Sequence, residues 1–167
     1  PSVTKTSAAT ESSDLLVTRA DGILTLAFNR PEARNALTPY MLERLGAELA
    51  AAELDNDIGC VVLTGTGDAF CAGGDVKKMA RMNATGTAPD PLVRMETQRQ
   101  SHRLTSLRLF QMGKPTIAAL PGAAAGAGLS LALACDMRIA AETATMTTAF
   151  AKGGLTRDYG GTYFLTQ

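Results

Sequence analysis

The spacing of apolar and polar residues changes along the chain, and each change marks an element. Leu15 to Ala20 (LLVTRA) and Ile23 to Asn29 (ILTLAFN) are two β-prone runs separated by Asp21-Gly22, a dipeptide that favours a tight hairpin turn. Asn29-Arg30-Pro31 ends the second run, and Thr38-Pro39 then offers an N-cap residue followed by a proline suited to the first helical position. From Pro39 to about Leu54, Met41, Leu42, Leu45, Leu49 and Ala52 recur at three- and four-residue steps, which predicts a helix with one buried face. CVVLTG at 60–65 is a short, continuous apolar run of the kind buried on both sides of a parallel sheet.

Further along, TGTGDAFCAGGDVKKMARM is a glycine-rich loop entering a helix near Asp75, whose carboxylate can cap the free N–H groups. Residues 83–91 (NATGTAPDP) read as a surface loop, Leu92 to about Met112 as a long polar helix, and PTIAALPG as another buried strand. A glycine-containing stretch and an apolar helix follow directly. Strand, glycine loop and helix thus occur twice in succession, which predicts an α/β domain of right-handed crossover units on one sheet. CDMRIAAE then reads as a strand and TATMTTAF as a short extended piece, while AKGGLTRDYGGTYFLTQ is a loop into a helix cut off by the chain terminus. The expectation is a disordered leader over residues 1–13, which lack large apolar side chains apart from Val3, and one core domain over 14–167 that continues in the natural protein.

Composition narrows the partners. The chain has 167 residues, 46% hydrophobic and 19% charged, a length that suits one globular domain. Sixteen basic and sixteen acidic residues cancel, and no basic run is interleaved with aromatics, so a small-molecule ligand is expected rather than nucleic acid or a membrane surface. Cys60, Cys71 and Cys135 lack CxxC spacing and read as reduced, buried thiols of a cytoplasmic protein. No apolar run approaches the roughly 20 residues of a membrane span.

The stretch LPGAAAGAGLSLALACD at 120–136 carries the chemistry. A strand end turns through small residues into an apolar helix, leaving first-turn amides at the positive end of the helix dipole where a ligand oxygen can approach. That pattern points to a developing oxyanion. Two other readings are weaker: GLSLA lacks the second glycine of a serine-hydrolase elbow, and no acidic residue ends a following strand at the distance a dinucleotide loop needs.

Four segments, NRPEARNAL at 29–37, VVLTGTGDAFCAGGDVKKM at 61–79, KPTIAALPGAAAGAGLSLALACDMRIAAETA at 114–144 and GGLTRDYGGT at 153–162, together resemble the enoyl-CoA hydratase/isomerase (crotonase) superfamily. AFAKGGLTRDYGGT is especially similar to its epoxyphenylacetyl-CoA isomerase branch. The resemblance implies a spiral of ββα units lacking the family's C-terminal helical segment. It further implies an acyl-CoA thioester ligand, no cofactor or metal beyond the coenzyme A of the substrate, and a homotrimer or dimer of trimers. The thioester oxygen would accept from the amides of Ala72 and Ala127, with Gly73 and Gly128 keeping the approach clear, and the segment containing Arg34 and Ala36 would lie near the CoA.

At the positions of the two glutamates that hold water in the family's hydratases, this chain carries Ser130 and Phe150. Neither is a general base at neutral pH, so the resemblance favours isomerisation over hydration. Ser130 reads either as a small helix residue or as one orienting water or substrate. Asp158, which faces the acyl chain in the isomerases by that resemblance, is the remaining proton shuttle, and Phe150, Leu155 and Tyr159 around it would raise its pKa by desolvation. The alternative role for Asp158 is an N-cap of the helix near Gly160. His102 sits in a polar helix pattern and reads as solvated, with a minor contribution to the site as the other possibility. Small residues over 149–155 and the loop before Leu92 are the only hints to the acyl group, and they suit a bulky or ring-bearing chain. Hydration or thioester hydrolysis through Asp158, and a catalytically silent acyl-CoA binding subunit, are the alternative functions.

Overall fold

A computed structural model describes residues 14–154, 156 and 158–167. The expected leader therefore lies outside the described residues. Strands β1 (Leu15–Ala20) and β2 (Ile23–Phe28) form the expected antiparallel hairpin, with Asp21 and Gly22 both at positive φ. Helix α1 (Pro39–Leu54) begins where Thr38 accepts a bond from the Met41 amide at 3.1 Å, and it buries Met41, Leu45, Leu49 and Ala52. β3 (Cys60–Gly65) and β4 (Ala69–Cys71) lead to α2 (Val76–Ala84), and α3 (Pro91–His102) follows. A π-helical segment at Arg103–Leu107 joins α3 to the short α4 (Arg108–Gln111). Next come β5 (Thr116–Leu120), β6 (Ala123–Ala125), α5 (Ala127–Ala134), β7 (Met137–Ala140), β8 (Met146–Thr147) and α6 (Gly161–Phe164).

The strands form two sheets, which corrects the expectation of crossover units on one. Five strands run in the order β1-β2-β3-β5-β7, parallel from β2 onward, and three more run β4-β6-β8. Each of the pairs β3/β4, β5/β6 and β7/β8 leaves one strand in each sheet, so the repeating unit is ββα. The three-residue strands AFC and AAA are too short to show a period of two, which is why they read as loop.

One face of the large sheet holds the core. Leu24, Leu26, Phe28, Val61, Leu63, Ala118 and Leu120 point into it, α1 covers part of it, and Phe28 meets Phe70 of the small sheet edge-on with ring centres 5.6 Å apart. The opposite face is less covered: Val62 and Ile117 are only half-buried, so β3 is fully buried on one side rather than both.

Candidate active site

The loop after β4 is fastened from outside. Leu37 donates to the Gly73 carbonyl at 2.8 Å and Ala72 donates to the Arg34 carbonyl at 2.9 Å, so residues 34–37 lie alongside 72–74. Asn35 clamps the arrangement: its buried side chain accepts from the Arg30 amide and donates to the carbonyls of Thr66 and Ala69. Arg30 in turn reaches the Ala36 carbonyl at 2.9 Å and the Asp75 carboxylate at 3.5 Å. Asp75 caps α2 through the Lys78 amide, and that bond first, with Arg30 second, holds its carboxyl below the ordinary range. This packing corrects the role expected of Ala72, because its amide is already engaged. The Gly74 amide carries no partner among the described residues.

The second loop meets the first. Gly126 adopts φ 53° and ψ −126°, a conformation open to glycine alone, and turns β6 sharply into α5. The Ala127 amide thereby becomes a first-turn donor with no partner inside the helix, in a residue that is itself buried. Gly73 sits against it at φ +87°, where an added Cβ would come within 2.8 Å of the Ala125 carbonyl and 3.2 Å of the Ala127 nitrogen. Only glycine therefore lets the two loops come this close. At Gly128 a Cβ would fall 2.4 Å from the Cys71 carbonyl, so this glycine lets α5 pack on β4. Ser130 is buried with its hydroxyl on the Gly126 carbonyl at 3.3 Å, as a helix residue bonding back to the preceding turn. The Phe150 ring covers Gly126. Arg34 has an exposed side chain and contributes its carbonyl to the first loop.

Asp158 lines an open cleft of about 220 Å³ together with Met95, Gln98, Arg99, His102 and Thr156. Gln98 donates to its Oδ2 at 3.1 Å, and its Oδ1 is buried with no partner among the described residues. Desolvation dominates and pushes the carboxyl up to about 6, against the lowering effect of its hydrogen bonds. The carboxyl is not a helix cap: α6 starts from Gly160 without a side-chain cap, and only the backbone carbonyl of Asp158 accepts from Gly161. Next to it, Tyr159 is buried at φ +49°; its amide donates to Nε2 of His102 at 3.4 Å and its ring centre lies 4.2 Å from the imidazole. His102 is therefore packed against Tyr159 rather than solvated, and burial lowers its pKa. Leu155, expected near Asp158, lies outside the described residues. Sequence reading missed Asn35, Gln98 and the Gly74 amide, because each acts through partners distant in sequence or through backbone alone.

The model of the family described as enoyl-CoA hydratase/isomerase matches residues 18–167. The 1,2-epoxyphenylacetyl-CoA isomerase of Escherichia coli strain K12 is 43% identical over 87% of this chain and 54% of its own length, and the 2,3-dehydroadipyl-CoA hydratase of the same organism is 40% identical over 79% and 48%. The chain thus spans about half the length of the curated relatives it matches. A solved enoyl-CoA hydratase from Polaromonas sp. JS666 superposes with a TM-score of 0.82 at 37% identity, over 90% of this chain and 57% of that one. With two sheets of ββα units and two glycine loops meeting at Gly73 and Ala127, the chain belongs to the enoyl-CoA hydratase/isomerase (crotonase) family.

Proposed function

We propose that this chain binds the thioester of an acyl-CoA, holds its enolate oxygen on the amides of Gly74 and Ala127, and shifts a double bond with Asp158 as the single proton carrier. One observation carries the reading: the Asp158 carboxyl stands in a cleft, pushed up to about 6, with one oxygen free of partners among the described residues. A carboxyl with a pKa near the working pH can both take and return a proton.

The chemistry balances within one substrate. The ionised Asp158 removes an α-proton from a 3-enoyl thioester, and the electron pair spreads into the carbonyl as a dienolate. The two amides stabilise the oxyanion, each worth roughly 2.7–4 kcal/mol by analogy with other such sites. The protonated Asp158 then returns its proton at the γ-carbon, and the double bond has moved into conjugation. Water takes no part, in keeping with the absence of a carboxylate at Ser130 and Phe150.

The likeness to a protein named 2,3-dehydroadipyl-CoA hydratase supports a second reading, in which Asp158 activates water for addition to a 2-enoyl-CoA. Mixing the protein with 2-enoyl-CoA and with 3-enoyl-CoA separates the two. Isomerisation makes conjugated absorbance grow from the 3-enoyl compound, whereas hydration removes it from the 2-enoyl compound. Asp158→Asn is expected to cut the isomerisation rate by about 10²–10⁴-fold. Unchanged α-proton exchange in D2O by that variant would falsify the shuttle, and CoA binding without any exchange in the parent protein would identify a silent binding subunit.

A further inference from the structure

Helix α3 grips the segment that carries Asp158 at two points one helical turn apart. Gln98 donates to Asp158 Oδ2 at 3.1 Å, and His102, four residues on, accepts the amide of Tyr159 at 3.4 Å while packing against its ring at a tilt. A carboxylate oxygen only accepts, so the Gln98 amide presents its NH₂ to Asp158, which settles which end faces the carboxyl. Oδ1 is left buried with no partner among the described residues.

We propose that Gln98 is a positioning residue: it fixes Oδ2 of Asp158 so that Oδ1 is the oxygen that takes and gives the proton. This rests on the reading of Asp158 as the shuttle. The chemistry of the amide suits the task. When Asp158 is ionised, Gln98 donates to Oδ2; when the proton sits on Oδ1, Oδ2 still has lone pairs and the same bond survives. The carboxyl therefore keeps one orientation through both halves of a proton transfer. A lysine or arginine in place of Gln98 would hold the carboxylate ionised and weaken it as a base, whereas a neutral amide does not titrate. An unpartnered oxygen in a desolvated position is also where a proton is favoured over a negative charge.

The other groups facing Asp158 leave this role to Gln98. Arg99 lines the cleft but lies 3.9 Å from Glu96 on its own helix. His102 has burial holding it toward the neutral form and its Nε2 occupied by the Tyr159 amide. The Tyr159 phenol is shifted upward, chiefly by burial, and stays uncharged.

The test is a ¹³C titration of the Asp158 carboxyl in the chain labelled at aspartate, with Asp158→Asn assigning the resonance. Gln98 is exposed and methionine is a good helix former of similar length, so Gln98→Met keeps the fold while deleting the donor. Loss of a hydrogen bond to the charged form should raise the Asp158 midpoint by about one pH unit in Gln98→Met. In the α-proton exchange assay the same variant should lose roughly tenfold in kcat with KM little changed, and the acidic limb of its pH profile should move up with the carboxyl midpoint. An unchanged midpoint overturns the proposal. Failure of the shuttle reading shows separately, as exchange that survives in Asp158→Asn while Gln98→Met still moves the midpoint.

Discussion

Asp158 is a carboxyl in surroundings that favour its neutral form, and this has a cost in stability. Its pKa is raised from 3.8 to about 6 by desolvation, so between those values the folded chain keeps a proton that the unfolded chain releases. Stability from this group is therefore lost as pH rises through that window and stays lost above it. Asp158→Asn should be more stable than the parent by on the order of 1–2 kcal/mol at pH 7, after allowing for solvent screening, with the gain vanishing near pH 4. Urea unfolding at the two pH values checks it; an equal gain at both would show that the cause is packing, not ionisation. The rise itself was legible from the apolar company in sequence, but the part played by α3 was not: Phe150 lies on Gly126, Met95 and His102 of α3 line the cleft beside Asp158, and Gln98 opposes the rise through its hydrogen bond.

Caps and turns show why some elements read plainly from sequence and others do not. Thr38 caps α1 through an amide three residues on, a local bond that the Thr-Pro pair announces. Thr38→Ala should cost about 1 kcal/mol in urea unfolding. Asn35 binds carbonyls 31 and 34 residues away, and no local pattern reveals that. Asn35→Ala would leave three polar groups of the two loops without partners, at about 1–3 kcal/mol for each that is buried. We expect a loss of ~3 kcal/mol or more and faster proteolysis between Gly65 and Asp75; wild-type resistance there would mean that Asn35 does not hold the loops. The run from Leu92 to about Met112 reads as one helix, yet Arg103–Leu107 is π-helical. Its extra residue turns the preceding face by about 100°, so Gln98 and His102 point to Asp158 out of phase with the buried Thr105, Ser106 and Leu109 behind them.

On the scale of the whole molecule, the second face of the large sheet stands out. Val62, Ile117 and Met137 lie in register across β3, β5 and β7, and on the edge strand Met137 and Ile139 are 52% and 64% exposed. An apolar edge strand of this kind promotes association. The chain should show a concentration-dependent mass in light scattering, and Ile139→Lys should reduce it; a mass that stays monomeric at every concentration would show that this face does not self-associate. The sequence by itself determined the hairpin, the capped α1, the alternation of strands and helices, the glycine loops and, through its motifs, the family. Those features are set by turn chemistry, caps and periodicity acting over a few residues. Only the tertiary structure decided that the strands part into two sheets, that the Ala72 amide is engaged while that of Gly74 has no partner among the described residues, and that Gln98 reaches Asp158 across 60 residues of chain. Such pairings depend on which distant backbone and side-chain groups packing brings within a hydrogen bond's reach.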